Sequence, residues 1–211
     1  MKKLILITGS RSEYGLLKNL IILLNNDKKI NLKLVVTGSH LSRKFGSSDK
    51  EIKSDGLKIS KNIKILDSGD SPSSINKFFA KGVMEFSKYL SHEKPDSIII
   101  LGDRYEIFSA AISAGFLNIP IIHINGGDST EGAIDEFMRH SITKMSWLHF
   151  VTNDLRKKRI LNMGENPKNI FCVGSLGVER IKKTKFIEKN LLKKKIKINL
   201  EKKNILITFH S

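Results

Sequence analysis

The sequence is poor in several residues that usually organise a fold or a site. In 211 residues it has one cysteine, Cys172, one tryptophan, three tyrosines and four prolines. A single thiol closes no internal disulfide, so an apolar core has to hold the chain together, and a reducing compartment suits it. The longest apolar runs, such as "SIIILG" and "LILIT", stop far short of the ~20 residues a membrane-spanning helix needs. The N-terminus "MKKLILITGS" mimics a secretory leader for a few residues only. Its apolar core is short, and "GSRSE" follows where a small-residue cleavage site would stand, so it reads as the first strand of a cytoplasmic protein with no membrane partner. Neither G-x-G-x-x-G nor G-K-[ST] occurs, which leaves dinucleotide and P-loop binding weakly supported. His123, His140 and His149 lack the H-x-x-x-H spacing with a supporting carboxylate that a zinc helix shows, so no metal is expected. His123, inside an apolar strand, reads as a satisfied core histidine.

Acids are scarce as well: 21 Asp and Glu stand against 37 Lys and Arg, a formal net charge of +16. Such a value suggests nucleic acid, but its distribution argues otherwise. Eleven of the 37 basic residues fall between Arg180 and Lys203, in "RIKKTKFIEKNLLKKKIKINLEKK", where Phe186 is the lone aromatic and no nucleic-acid motif occurs. The segment reads as a solvated, Lys-rich helix and linker with some attraction for polyanions. A hydrophobic content of 40% is that of a globular chain, and the length allows one full domain plus part of another.

Apolar runs alternate with helical patterns along the chain. Strands are expected at 3–8, 30–38, 62–67, 96–102, 119–124, 148–153 and 169–175, with helices between most of them. Ser71 and Pro72 mark one helix start and Gly164 one helix end. Runs apolar throughout, each followed by a helix, predict an α/β fold with a doubly wound parallel sheet. The expected organisation is a Rossmann-like domain over 1–184, the Lys-rich segment over 185–203, and at 204–211, "NILITFHS", the first strand of a further α/β domain. A lone strand has no partner for its backbone groups, so the chain is expected to be part of something longer.

In parallel sheets of this kind ligands sit beyond the carboxyl ends of the strands, and the polar clusters fall there: "TGSRSEYG", "TGSHLSRKFG", "LGDRYE", "INGGDSTEG" and "VGSLG". Arg11 and Glu13 either face the cleft or form an ordinary capped turn. Asp103, at the tip of the most apolar strand, lies at a helix N-terminus that favours its ionised form, as a cap, a cleft carboxylate or both. The densest cluster, "INGGDSTEGAIDEFMRH", carries four carboxylates, Asp128, Glu131, Asp135 and Glu136. Gly126 and Gly127 would let the backbone turn tightly and approach a ligand, and Thr130 would cap the helix that follows. Asp135 and Arg139, four apart, share a helix face. A dipole-complementing acidic helix start with a surface Asp–Arg pair is the plainer reading.

Taken in order, "GSRSEYG", "TGSHLSRKFG", "LGDRYE", "INGGDSTEGAIDEFMRHSITKMSWLHFV" and "MGENPKNIFCVGSLG" resemble the UDP-N-acetylglucosamine 2-epimerases, and most of all their hydrolysing, sialic-acid-pathway branch. The resemblance implies the N-terminal, Rossmann-like half of a GT-B-type two-domain fold, a UDP-sugar substrate, no cofactor, and a homo-oligomer at full length. It implies conversion of UDP-N-acetylglucosamine to N-acetylmannosamine and UDP. The C2 proton is removed as UDP leaves C1, and water adds to the resulting glycal. The same chemistry on a UDP-diacetamido-trideoxyhexose is the alternative, and an inactive isolated domain is a third reading. By position, the resemblance makes Asp103, Asp135, Glu131 and His210 catalytic, and places Arg11, Glu13, Arg139, Gly126, Gly127 and Asp128 against the substrate. Asn125 stands where non-hydrolysing relatives carry a glutamate, which fits the hydrolysing branch.

Overall fold

The chain was analysed as a computed structural model that describes residues 1–42, 44, 46–66, 71–130, 132, 134–200 and 203–208. Among these, seven strands run β1 (Lys2–Thr8), β2 (Ile30–Thr37), β3 (Ile59–Ile63), β4 (Ser97–Leu101), β5 (Ile121–Ile124), β6 (Leu148–Val151) and β7 (Ile170–Cys172). Between and after them lie α1 (Arg11–Asn26), α2 (Asp49–Ser54), α3 (Pro72–Glu93), α4 (Tyr105–Phe116), α5 (Asp135–Met145), α6 (Asp154–Asn162), α7 (Leu176–Lys183) and α8 (Lys189–Ile196). The strands form one sheet in the order β3-β2-β1-β4-β5-β6-β7, and every pair is parallel. The order reverses between β1 and β4, where a crevice opens at the carboxyl edge. This is the doubly wound, Rossmann-like sheet that the alternation of runs predicts.

Alternation along the central strands divides two cores. Ile5, Ile7, Val35, Ile98 and Ile100 meet Phe86 and Leu90 of α3, Ala110 and Ala114 of α4 and Ile142 of α5. Leu6, Leu34, Val36, Ile99 and Leu101 face the other way, onto Tyr14, Leu17 and Ile21 of α1. All five residues of β4 are buried, as a strand covered on both faces requires. Helix starts follow local chemistry. Ser10, Ser71, Asn153 and Ser175 each accept a backbone N–H of the first turn, and Pro72 opens α3. Gly164, just beyond α6, takes a left-handed φ of 85°.

The third strand departs from expectation. It spans Ile59–Ile63, ahead of the expected 62–67, and three of its five residues are exposed. It lies at the sheet edge beside β2, so pairing places it where hydrophobicity gives little guide. Residue 67 lies outside the described residues. The six-residue α2 carries no periodic signal and the sequence reading omits it. In the basic tail, α8 buries none of its residues. Residues 203–208 belong to no strand, and Ile205, Leu206 and Ile207 are exposed. No helix among the described residues is long and apolar enough to cross a membrane.

Truncating Ile100, fully buried in β4, to Ala should cost about 2–5 kcal/mol through lost burial and a residual cavity. Leu23→Ala, on the outer face of α1, should stay within about 0.5 kcal/mol. Urea unfolding of the two variants checks the contrast.

Candidate active site

The parallel sheet delivers its βα loops to one edge, and Asp103 is the centre of what gathers there. Gly102, at φ 81°, turns the chain at the end of β4, and its carbonyl oxygen accepts Nε2–H of His123 at 3.0 Å. His123 is fully buried on the neighbouring strand, and burial lowers its pKa to about 4, so it stays neutral and serves as a brace. Asp103 does not cap α4, whose cap position is Arg104 with no side-chain bond. Its carboxylate instead accepts Arg139 Nε–H at 2.6 Å and pairs with a terminal nitrogen of the same guanidinium.

Arg139 is only 8% exposed. It also lies 3.5 Å from Glu136. The plainer reading of a surface Asp135–Arg139 pair is therefore corrected: Arg139 is buried and its ion pair crosses to another element. That leaves Asp135 with no hydrogen bond or ion pair among the described residues, at the start of α5 beside Asp103. Burial raises its pKa, the Asp103 charge raises it further, and Arg104 and Arg139 oppose the shift. An unengaged carboxyl that holds its proton more tightly than usual, beside a carboxylate pinned by arginine, is an arrangement that can exchange protons with a ligand.

The acidic loop is tied down by its own side chains. Glu136 accepts Ser129 Oγ–H at 2.7 Å, the Thr130 N–H and His140 Nε2–H at 3.3 Å. The Thr130 bond first, then Ser129, hold its carboxyl down at about 2. Thr130 thus caps nothing, and α5 begins at Asp135 behind Ile134. Asp128 accepts Arg156 at 2.8 Å and the Ser129 N–H at 3.0 Å. Burial opposes its charge, but those two partners win and its pKa falls. Asp128 and Arg156 line a cavity of about 400 Å³ with Asn125, Thr152, Asn153 and Ser175, at the ends of β5, β6 and β7.

Gly126 and Gly127 pack closely against the rest of the protein, and Gly127 takes a left-handed φ of 76°. A Cβ on Gly126 would come within 2.8 Å of His123 Nδ1, and one on Gly127 within 2.7 Å of the Arg156 carbonyl oxygen. Both glycines make room for the protein's own groups. The Arg11 side chain is 77% exposed and pairs with Glu51 of α2 at 2.8 Å. Glu131 and His210 lie outside the described residues.

Glu13 faces inward. It is 6% exposed, accepts the Gly9 N–H at 2.7 Å and leaves its second oxygen without a partner. Beside it stands a residue that sequence reasoning missed. Glu106, in the first turn of α4, is fully buried, accepts Arg104 Nε–H at 2.8 Å and also leaves one oxygen unpartnered. The signal was a lone charge on the buried face shared with Ala110, Ser113 and Ala114. Arg104 was missed too. Its terminal nitrogens make no hydrogen bond among the described residues, its guanidinium lies 5.9 Å from the centroid of the Tyr105 ring, and its charge acts on Glu13, Glu106 and Asp135.

Residues 23–211 match the family described as UDP-N-acetylglucosamine 2-epimerase. The chain belongs to the UDP-N-acetylglucosamine 2-epimerase family. It is 42% identical over 209 residues to the GDP/UDP-N,N'-diacetylbacillosamine 2-epimerase (hydrolyzing) of Campylobacter jejuni, covering 99% of this chain and 54% of that protein. It is 35% identical over 210 residues to the UDP-N,N'-diacetylbacillosamine 2-epimerase (hydrolyzing) of Legionella pneumophila, covering 100% of this chain and 55% of that protein. The fold matches the UDP-GlcNAc 2-epimerase of Neisseria meningitidis, solved bound to UDP-GlcNAc, with a TM-score of 0.75 at 21% identity over 94% of this chain and 51% of that one. The chain spans about half the length of the curated relatives it matches.

In this epimerase-family chain the buried Glu13 gives a measurable handle. Burial raises its pKa from 4.5 to about 7, with the Glu106 charge adding to the rise against the opposing Gly9 hydrogen bond. The folded state therefore keeps a proton that the unfolded chain releases, and this stabilisation is complete below pH 4.5 and lost as pH rises to about 7. Glu13→Gln, which has no proton to lose, should gain roughly 3 kcal/mol relative to the parent between those limits. Urea unfolding of both proteins across that range measures the difference, from which the buried histidines common to both cancel.

Proposed function

We propose that this chain supplies the acid–base wall of a hydrolysing 2-epimerase that acts on a UDP-linked 2-acetamido sugar. The observation that carries the reading is the juxtaposition of an arginine-pinned Asp103 with an unengaged Asp135 at the carboxyl edge. The proton at C2 of such a sugar is weakly acidic, so its removal needs a positioned base. UDP departs from C1 in the same step, a 2-acetamido glycal forms, and water returns hydrogen to C2 on the opposite face and hydroxyl to C1. Two carboxyl groups of unlike proton affinity on one wall suit a sequence that first takes a proton and then gives one.

The departing diphosphate needs cations. Arg139 is engaged by Asp103 and Glu136, which leaves Arg104 as the more open guanidinium of this wall. Glu131 and His210 keep their proposed roles by resemblance, and Asp128 lines the neighbouring cavity. A single wall excludes water poorly, so turnover should require the remainder of the cleft.

The relatives' names favour the diacetamido sugar, the alternative in the sequence reading, over UDP-N-acetylglucosamine. Both relatives compared are named for N,N'-diacetylbacillosamine and align over essentially the whole chain. Assayed in deuterium oxide, the full-length gene product should release UDP, place one deuterium at C2 of the freed sugar, and turn over UDP-N,N'-diacetylbacillosamine faster than UDP-N-acetylglucosamine. Asp135→Asn should lower turnover by about 100-fold or more without shifting the unfolding midpoint. Release of UDP without deuterium at C2 would rule out the elimination route, and near-parent turnover by Asp135→Asn would remove that residue from it.

A further inference from the structure

Glu106 occupies a position that ordinary helix design avoids. It is a charged side chain in the first turn of α4, fully buried, with one oxygen bonded and the other bare. Leaving a buried carboxylate oxygen unpartnered is costly, so its retention calls for a compensating role. Its surroundings show one. A Cβ on Gly9, beyond β1, would lie 2.8 Å from Glu106 Cγ. A Cβ on Gly38, beyond β2, would lie 2.7 Å from Glu106 Oε1. Gly38 also has a left-handed φ of 57°. Two glycine turns thus close around this one side chain, and its bonded oxygen reaches Arg104 Nε at 2.8 Å. Glu106 is the point where the ends of β1, β2 and β4 meet, at the reversal of strand order.

We infer that Glu106 is a positioning residue of the cleft: wedged between Gly9 and Gly38, it grips Arg104 by Nε and so presents the terminal guanidinium nitrogens to an anionic group of the ligand. A guanidinium held through Nε loses less freedom when its outer nitrogens bind an oxyanion. Arg104 itself is the contacting group, and Glu106 acts through it. Choosing a diphosphate as that anion rests on the proposed UDP-sugar reading; the grip on Arg104 does not.

The test uses inorganic pyrophosphate and the 211-residue chain. In a nitrogen-15 spectrum the Arg104 Nε–Hε signal, identified by its loss in Arg104→Lys, should be slow to exchange and should shift as pyrophosphate is added. Glu106→Gln keeps the shape and an accepting oxygen, so it should keep the signal and bind pyrophosphate within about threefold of the parent. Glu106→Asp, one methylene shorter, and Glu106→Ala should lose the slow signal and bind about tenfold more weakly. If the Ala variant does not fold, Asp carries the comparison. Parent-like signal and affinity in Glu106→Asp would overturn the inference, as would a Gln variant as weak as Asp, or a parent whose Arg104 signal ignores pyrophosphate. Failure of the deuterium assay with these results intact would sink the proposed reaction and leave the grip standing.

Discussion

Parallel pairing of all seven strands is the constraint on which the site depends. Each strand has to enter the sheet at the same edge, so each chain reversal after a strand happens at the opposite one. That edge cannot bury apolar side chains well, because helix N-termini and unpaired strand ends crowd it with polar backbone. What the sequence places there is a set of short polar loops, and these become neighbours although the ends of β1 (Thr8) and β6 (Val151) lie far apart along the chain. Gly9 and Glu106 are neighbours in space for the reason that β1 and β4 are paired.

Given that edge, the next requirement is to hold ionisable groups apart from one another's control. The Asp103–Arg139 pair does this for α5 and β4, and His123 does it without charge by binding the Gly102 carbonyl. Burial lowers the pKa of His123, so the brace adds no positive charge beneath the carboxylates. Asp135 is then left facing a neighbour already committed to arginine. Its raised pKa follows from burial and from that neighbour, and neither cause depends on a ligand being present.

The sequence showed the sheet because six of the seven strands are apolar runs, and burial on both faces is what such runs signify. It misplaced β3 because an edge strand with exposed residues carries no such signal. The candidate site was legible in part. Asp103, Asp135 and Arg139 do converge, as their loops predicted. Which arginine oxygen partner each would choose was not legible, since spacing along one helix favours Asp135 and only the fold brings Asp103 to Arg139. Gly127 has the left-handed φ that a tight turn uses, and the groups that would meet a Cβ at Gly126 and Gly127 come from His123, Thr143 and α6, which spacing along the chain does not show. Glu106 stands within "LGDRYE", but a single acid on an apolar helix face carries no signal until the two glycines that enclose it are seen.

The charge of the chain illustrates the same separation of levels. A net charge of +16 suggests a polyanion partner, yet Glu13, Glu106, Asp103 and Asp135 gather at the carboxyl edge of the sheet. The basic surplus lies largely in the exposed α7, α8 and the segment around them. Long-range field and local chemistry are carried by different residues: the first can draw an anionic ligand toward the protein, while the second meets it with carboxyl groups. An anion entering such a crevice is tolerated only if some of that acidity is neutral or paired. Arg139 pairs Asp103, Arg104 pairs Glu106, and burial favours the protonated forms of Glu13 and Asp135. The same burial that makes these groups expensive is therefore what lowers the negative charge of a wall rich in carboxyls.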